Sequence, residues 1–377
     1  MKIVLAFDSF KNCMSSPEIH RILRETFHTY RPEWEIVSLP LGDGGEGTAE
    51  ALCAAQGGVM ESHTVSDPLG RPVAARWGRL PDHGAVLEMA TASGIELLRR
   101  AELDPERAST RGTGELLRHL IREEKIRRLT IGIGGSATVD GGIGMLQALG
   151  AAFTDRAGQQ IPDGAGGGKL SEVAVVNLKN LLPELRDCRI RVACDVTNPL
   201  TGPTGAAAVF GPQKGATPEQ VRKLDAGLKN FSLAARRAGV VKASEEQPGD
   251  GAAGGLGFAL RNFLDAEIVS GAELALELLR FDAALEAADW VMTGEGCSDF
   301  QTAHGKLCSH VAAHARQRNI PVILLSGALG ERAAELEETF DAVLALAAGP
   351  GTLEDALERT PENLRRMVRA LTMLLER

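Results

Sequence analysis

Acidic residues follow several of the short apolar runs that predict β-strands in this sequence. Asp195 comes directly after RIRVAC, and Glu295 directly after DWVMTG, with Asp299 and Lys306 a few residues further on. A strand-end carboxylate can take a proton from a substrate hydroxyl or bind a metal, and lysine is a compact cation suited to phosphate or carboxylate. The pattern predicts phosphoryl transfer, with Asp195 aligning or deprotonating the attacking hydroxyl. An Asx turn before the following Asn-Pro pair is the structural alternative for Asp195.

The N-terminal segment repeats this arrangement. The apolar run KIVLAF is followed by Asp8, Ser9 and Lys11. Any one of these strand ends could be a simple turn, but turns need glycine and have no structural need for acids and lysines at one strand end after another. We predict that Lys11 acts in catalysis, and that Lys11 and Lys306 pair with phosphate or carboxylate charge. Asp8, Ser9, Glu295 and Asp299 are predicted to bind substrate or phosphate.

A glycine-rich segment at residues 127–150, RRLTIGIGGSATVDGGIGMLQALG, predicts a phosphate-binding loop between a strand and a helix. Gly134, Gly135 and Ser136 follow the predicted strand, and glycine lets the backbone approach a phosphate closely. Free N–H groups, the N-terminus of the next helix and the serine hydroxyl would attract an anion. The segment lacks the Walker pattern GxxxxGK[ST] and a clean GxGxxG. A tight strand-to-helix connection without a ligand is the alternative.

A second acidic loop, LGDGGEGT, lies between a predicted strand and an alanine-rich helix. Asp43 and Glu46 stand among four glycines in this loop. Magnesium is held by one or two carboxylates together with phosphate oxygens, so this pair is a candidate Mg²⁺ site. The two residues also fit an acidic N-cap with a glutamate at the third helical position. The sequence leaves both interpretations open.

Other charged and titratable residues are weaker candidates. Lys214, in FGPQKGA, could bind an anion, but a lone lysine is usually solvated, and solvation is the interpretation adopted for it. His304 lies inside the last acidic motif and could contact substrate. The remaining histidines, His20 among them, are interpreted as surface residues.

Composition excludes several functional classes. The 377 residues include 41 Lys and Arg against 50 Asp and Glu, a net charge of −9, which gives no positive field for nucleic acid or an anionic membrane. No apolar run reaches the roughly 18 residues of a membrane helix, and the N-terminus does not resemble a signal peptide. Six cysteines without CxxC or zinc spacing favour reduced thiols in the cytoplasm. The oligomeric state is left open, with a homodimer as one alternative.

The elements that carry these loops alternate between strands and helices, which predicts an α/β fold. Residues 1–65 and 285–377 predict one Rossmann-like domain with a doubly wound parallel sheet. Residues 66–284 predict a second α/β domain inserted into the first. Ligands of open α/β sheets bind beyond the carboxyl ends of the strands, so we expect the active site in the cleft between the two domains.

Several long motifs, in order along the chain, resemble those of the bacterial type I glycerate kinases over essentially the full length. They are DSFK, GDGGEGT, TRGTGELLRHLI, IGIGGSATVDGGIG, ACDVTNPLTGPTGAA with FGPQKG, GAAGGLGFAL and TGEGCSDFQTAHGK. The resemblance implies ATP-dependent, Mg²⁺-dependent phosphorylation of D-glycerate at the 2-hydroxyl, by a Rossmann-like domain with a large α/β insertion. A kinase of another small hydroxy or sugar acid, or a non-catalytic nucleotide-binding sensor, is the alternative.

One departure from the family pattern falls in the last motif. The family usually reads GEGRxDxQT, whereas here Cys297 and Ser298 replace the arginine and its neighbour. Loss of the arginine removes a donor that could bind a carboxylate through two parallel hydrogen bonds. Lys306 and Arg111 are the nearest motif-borne cations that could bind the carboxylate of the acid substrate in its place.

Overall fold

The structure of the protein is a computed structural model that describes residues 1–42, 45, 47–241, 243, 246–303, 306–349 and 351–375. Asp43, Glu46 and His304 lie outside the described residues. The chain divides into two compact units. The first unit comprises Met1–Asp43, Glu50–Gly58 and Gly271–Arg377, and the second comprises Gly44–Ala49 and Val59–Ser270.

Strands and helices alternate along most of the described chain. The strands are β1 Lys2–Phe7, β2 Glu35–Ser38, β3 Val59–Ser66, β4 Pro72–Arg79, β5 Gly84–Glu88, β6 Arg128–Gly132, β7 Ala152–Thr154, β8 Val175–Asn177, β9 Arg189–Ala193, β10 Glu267–Val269, β11 Trp290–Ser298, β12 Val322–Leu329 and β13 Ala342–Ala345. The α-helices are α1 Ser16–Tyr30, α2 Thr48–Gln56, α3 Ala90–Ser93, α4 Arg111–Arg122, α5 Ile143–Ala148, α6 Ala206–Phe210, α7 Pro218–Arg237, α8 Ala252–Leu264, α9 Gly271–Leu278, α10 Phe281–Ala284, α11 Leu307–Arg316 and α12 Leu353–Leu374. Among the described residues, no helix is both long enough and apolar enough to cross a bilayer.

The first unit is built on a parallel five-stranded sheet in the order β13-β12-β11-β1-β2. The strand β1, which lies between β11 and β2, is an almost continuous buried apolar run, as expected of a parallel strand covered on both faces. Counted within this unit, the order is 2-1-3-4-5, the flavodoxin-like variant of the doubly wound sheet. The predicted α/β fold with a doubly wound parallel sheet is confirmed, and its topological switch point lies between β1 and β11.

The second unit contains a six-stranded sheet in the order β10-β9-β6-β5-β4-β3. The four strands from β10 to β5 are parallel, and β4 and β3 continue the sheet in antiparallel pairing. β3 falls in this unit because it pairs with β4 over its whole length, whereas α9 and α10 fall in the first unit. Both unit boundaries therefore lie earlier in the chain than the predicted residues 66 and 284.

The first turn of α1 is held by a side chain other than that of its N-cap residue. Ser15 has the extended backbone of an N-cap and a proline follows in the first turn, yet the Ser15 side chain makes no capping hydrogen bond. Ser16 Oγ instead donates to the Phe7 carbonyl oxygen at 2.7 Å. This bond fixes the start of α1 against the carboxyl end of β1.

His20 is buried, so its interpretation as a surface residue is wrong. Its side chain is 2% exposed, because α1 turns it toward the sheet. The Phe7 amide donates to His20 Nε2 at 3.2 Å, and Nδ1 lies 2.7 Å from Ser38 Oγ. Since Nε2 accepts, the ring is neutral with its proton on Nδ1. Burial lowers the pKa of His20 to about 3, and the imidazole joins α1, β1 and β2.

A buried neutral histidine makes stability depend on pH. The unfolded chain takes up a proton near the ordinary pKa of 6.5, but the folded chain does so only near pH 3. Stability is therefore lost as pH falls from about 6.5, at ~1.4 kcal/mol per pH unit for this one group. We expect His20→Gln to remove this contribution from the slope of the free energy of unfolding against pH, measured by urea unfolding between about pH 6 and pH 4. His28→Gln, an exposed histidine of the same helix, should keep the wild-type slope; equal slopes for His20→Gln and wild type would contradict the assignment.

Candidate functional site

The carboxyl ends of β1 and β11 bring two of the predicted motifs together in the first unit. Phe7 lies opposite Gly294 in the parallel ladder, and the Asp8 amide donates to the Gly294 carbonyl oxygen at 3.0 Å. A Cβ atom placed on Gly296 would lie 3.2 Å from the Lys11 backbone nitrogen. The loop after β1 and the end of β11 are thus direct neighbours at the switch point of the sheet, where ligands of doubly wound folds bind.

Glu295 and Lys306 form the centre of this group. Glu295 Oε1 accepts hydrogen bonds from Ser298 Oγ at 3.1 Å and from Thr302 Oγ1 at 2.5 Å. Lys306 Nζ lies 4.0 Å from Glu295 Oε2 and 3.9 Å from Asp299 Oδ1, the long limit of an ion pair. Because the lysine is held only loosely and its side chain is 41% exposed, it can turn to an incoming anion.

Cys297 stands beside these charges at an exposed position of β11. Its partial burial, together with Asp299 and Glu295, raises the pKa of the thiol. The side chain at position 297 is therefore a neutral thiol, where the motif that the sequence resembles reads arginine. The predicted residues gathered at this edge of the first unit are Asp8, Ser9, Lys11, Glu295, Asp299 and Lys306.

In the second unit, the loop after β6 presents backbone amides to solvent. Two backbone hydrogen bonds join it to the segment around Ser93, from the Ile95 amide to the Gly135 carbonyl oxygen at 2.8 Å and from the Ala137 amide to the Ser93 carbonyl oxygen at 3.0 Å. Gly134 and Gly135 are exposed, and Gly135 has a φ of +69°, which favours glycine. Within the described part of the chain, the Gly134 and Gly135 amides donate to no acceptor. They are thus available to an anion.

Asp140 closes the other end of this loop as a fully buried carboxylate. It accepts from the Thr110 amide and hydroxyl at 2.8 and 2.7 Å, and from the Gly142 and Gly144 amides at 3.0 and 3.3 Å. Burial raises the pKa of Asp140, while these hydrogen bonds favour the ionised form and lower it. The prediction that the following helix offers its N-terminus to a ligand is wrong, because α5 has six residues and Asp140 occupies its first amides.

Lys214 is buried beside the same loop, and its interpretation as a solvated residue is also wrong. It is 1% exposed, and its Nζ donates to Ser136 Oγ at 2.6 Å and to the Thr138 carbonyl oxygen at 2.7 Å. Burial lowers the pKa of Lys214 to about 7, and Asp140 partly offsets this effect. No local motif signals the burial, because both partners lie more than 70 residues away in the sequence.

Asp195 follows β9 as predicted and is exposed. Its Oδ1 atom accepts a hydrogen bond from Ser270 Oγ at 3.0 Å. Ser270 directly follows β10, the parallel neighbour of β9, so the bond joins the carboxyl ends of two adjacent strands. Ser270 was not predicted, although its place after a strand-like run is the signal that would have found it.

Arg111, the other predicted cation, is already paired inside the second unit. Its Nε donates to Glu115 Oε1 at 2.7 Å, and its guanidinium group also forms an ion pair with Asp163. These two carboxylates use the directions in which an arginine would bind a substrate carboxylate. The structure therefore gives Arg111 a local role that joins α4 to the segment around Asp163.

Glu88 is a further strand-end acid that the sequence reading missed. It ends β5, is 6% exposed, and its Oε1 atom accepts a hydrogen bond from the Ala49 amide at 2.8 Å. Ala49 lies in the first turn of α2, directly after the LGDGGEGT loop. The signal was present, since GAVLE ends in an acid like the other strands.

Among the described residues, no group of three or more His, Cys, Asp or Glu side chains could hold a metal ion.

Comparisons with known proteins agree over the whole chain. Residues 3–376 match the profile described as the glycerate kinase family. The sequence is 42% identical to a glycerate 2-kinase of Escherichia coli K12, over 100% of this chain and 98% of that protein. It is also 42% identical to a glycerate kinase of Bacillus subtilis 168, over 98% and 96% of the two chains. A crystal structure of a Salmonella typhimurium LT2 protein assigned as glycerate kinase 2 is similar with a TM-score of 0.89 and 42% identity, covering 100% of this chain and 98% of that one.

The buried Asp140 network predicts a large loss of stability on a minimal substitution. Asp140→Asn removes the charge of the carboxylate and puts an amide NH₂ group in place of one of its oxygens, which leaves at least one of the four buried donors without an acceptor. We expect the free energy of unfolding to fall by about 3 kcal/mol or more in chemical denaturation. Asp163→Asn, at an acid whose side chain is 65% exposed, should cost less than about 1 kcal/mol. Equal effects of the two substitutions would contradict the assignment.

Proposed function

This chain belongs to the glycerate kinase family, and on that premise we propose that it transfers the γ-phosphoryl group of ATP to the 2-hydroxyl of D-glycerate. The observation that carries the proposal is the match over the whole chain, which includes both groups of strand-end residues. Phosphoryl transfer depends on positioning and on neutralising phosphate charge rather than on covalent chemistry of the protein. The residues at the strand ends of the first unit and those at the strand ends of the second unit each supply part of this positioning and charge neutralisation.

In the proposed reaction the glycerate 2-oxygen attacks the γ-phosphorus, and the bond from the γ-phosphorus to the β,γ-bridging oxygen breaks. ADP leaves with that oxygen, and the hydroxyl proton goes to the Asp195 carboxylate. Asp195 suits this role because it is exposed and Ser270 orients one of its oxygens. General-base groups act best when a second hydrogen bond fixes their direction.

Phosphate binding is assigned to the loop after β6. The Gly134 and Gly135 amides and the Ser136 hydroxyl would surround phosphate oxygens, because a glycine loop with free N–H groups is an anion site. Preorganised donors of this kind stabilise charge that develops in the transition state.

Charge pairing is assigned to the first-unit edge. Lys11 and Lys306 would neutralise phosphate or carboxylate charge, and Asp8, Ser9, Glu295 and Asp299 would orient them and the substrate. Arg111 stays in the proposal as a weaker candidate because Glu115 and Asp163 already hold it.

Mg²⁺ is part of the proposal because carboxylate oxygens are the ligands it takes beside nucleotide phosphates. Asp43 and Glu46 have this donor chemistry and would hold the ion, which when bound would neutralise phosphate charge. The reaction is placed in the cytoplasm, since all six cysteines are free thiols, as expected in a reducing compartment.

The identity of the reaction is tested by ³¹P and ¹³C NMR of the product formed from ATP, Mg²⁺ and D-glycerate. The proposal predicts a phosphomonoester coupled to carbon 2, with no comparable product from a panel of longer sugar acids. A phosphorus coupled to carbon 3 would overturn the assignment of the hydroxyl. Turnover of a sugar acid but not of glycerate would overturn the substrate, and ATP binding without any product would indicate a sensor.

The role of Asp195 predicts a selective loss of turnover. Asp195→Asn keeps the size and the bond from Ser270 but cannot accept the proton, so kcat should fall by roughly 100-fold or more. The Kd for ATP, measured by calorimetry, should stay near the wild-type value. Asp187→Asn is the matched control, because Asp187 is an exposed acid just before the other end of β9. A kcat for Asp195→Asn equal to that of the control would remove Asp195 from the mechanism.

The neutral thiol at position 297 predicts a gain of substrate affinity. Cys297→Arg supplies the forked donor that the family pattern has here, so the KM for D-glycerate should fall by about tenfold. The KM for ATP should stay nearly constant, because the added contact binds the acid substrate and not the phosphoryl donor. Cys297→Ser controls for loss of the thiol and should leave both constants unchanged. An effect on ATP larger than that on glycerate would refute the prediction.

A further inference from the structure

A buried lysine ammonium group lies next to the phosphate loop, and the proposed chemistry leaves it without a role. Lys214 ends the short 3-10 helix Pro212–Lys214, and Gly215 follows with a φ of +91°. A Cβ atom on Gly215 would lie 2.7 Å from the Leu103 carbonyl oxygen, so the turn admits only glycine. This tight turn holds the lysine backbone in one place and directs its side chain into the interior.

The charge of this ammonium group is only partly compensated. Burying a cation is costly unless it is paired or well hydrogen-bonded. The partners of Lys214 Nζ are two neutral oxygens, Ser136 Oγ and the Thr138 carbonyl. Across the described part of the chain, Lys214 forms no ion pair; the one carboxylate that acts on it electrostatically is Asp140, which already accepts four hydrogen bonds. In its protonated form, Lys214 therefore leaves a residual positive charge at the loop.

The two hydrogen bonds that Lys214 Nζ donates also fix the loop from its buried side. Ser136 Oγ accepts from Lys214, which leaves the serine hydroxyl hydrogen to be donated to another group. Gly134 and Gly135 directly precede Ser136, are exposed, and have amides without a described acceptor. A cation on the inner side and free donors on the outer side make this loop a matched site for an anion.

We propose that Lys214 is a positioning residue for the phosphate groups of the nucleotide, which it favours by fixing Ser136 and Thr138 and by adding positive charge behind the Gly134 and Gly135 amides. The inference rests on the proposed kinase function and deepens it, because it separates nucleotide binding from acid-substrate binding. In the free protein, burial lowers the pKa of Lys214 to about 7. A bound phosphate would favour the charged form of the amine again.

The test compares Lys214→Met, which keeps length but removes charge, with Lys214→Arg, which keeps charge. Calorimetric titration with the non-hydrolysable analogue AMP-PNP and Mg²⁺ gives Kd, and steady-state assays give the KM for D-glycerate at saturating ATP. We expect Lys214→Met to raise the Kd of AMP-PNP by about tenfold or more, while the KM for D-glycerate stays within about twofold. Lys214→Arg should recover part of the lost affinity. Lys179→Met, at an exposed lysine of the same unit, should match the wild type.

Two results would overturn the inference. One is a folded Lys214→Met protein whose Kd for AMP-PNP equals that of the wild type. The other is a rise in the KM for D-glycerate as large as the rise in Kd, which a merely structural role would produce. If Lys214→Met does not fold, Ser136→Ala decides, because it removes one of the two acceptors of Lys214 and keeps its charge; an unchanged Kd there also overturns the inference. A wild-type protein that makes no phosphoglycerate, together with lower AMP-PNP affinity in Lys214→Met, would refute the function and keep the inference.

Discussion

Parallel strand pairing is the constraint on which both groups of site residues depend. Parallel strands end at the same edge of a sheet, so residues far apart in sequence become neighbours when their strands pair. The pairing of β1 with β11 brings Asp8 and Glu295 together across more than 280 residues. The pairing of β9 with β10 does the same for Asp195 and Ser270. Substitutions that shift either register would disperse these groups without touching any of them.

Two buried charged side chains, Asp140 and Lys214, organise the loop that follows β6 in the second unit. Asp140 is satisfied entirely by donors of its own unit, which caps α5 and anchors the start of α4. Lys214 donates hydrogen bonds to two neutral oxygens of the loop between them. Among the described residues, the exposed amides of Gly134 and Gly135 remain without an acceptor and face outward from this interior network. The loop is rigid where it is buried and open where a ligand would approach.

The sequence predicted what depends on local pattern and missed what depends on distant partners. The alternation of strands and helices, the glycine loop and every strand-end acid named above except Glu88 depend on short stretches of sequence, and they were found. The burial of His20 and Lys214 was not, since each is buried by elements elsewhere in the chain, and a histidine or lysine is more often solvated. The helix after the loop was predicted, but its capping by Asp140 depends on Thr110, which is 30 residues away. The unit boundary at β3 was placed late because its partner β4 determines its sheet.

The central claim is that the loop after β6 binds the nucleotide phosphates while strand-end carboxylates serve the acid substrate. A crystal structure of the protein with AMP-PNP, Mg²⁺ and D-glycerate tests it most directly. The account predicts phosphate oxygens within about 3 Å of the Gly134 and Gly135 amide nitrogens and the Ser136 hydroxyl. A fully occupied triphosphate bound elsewhere, with these amides facing solvent, would contradict it.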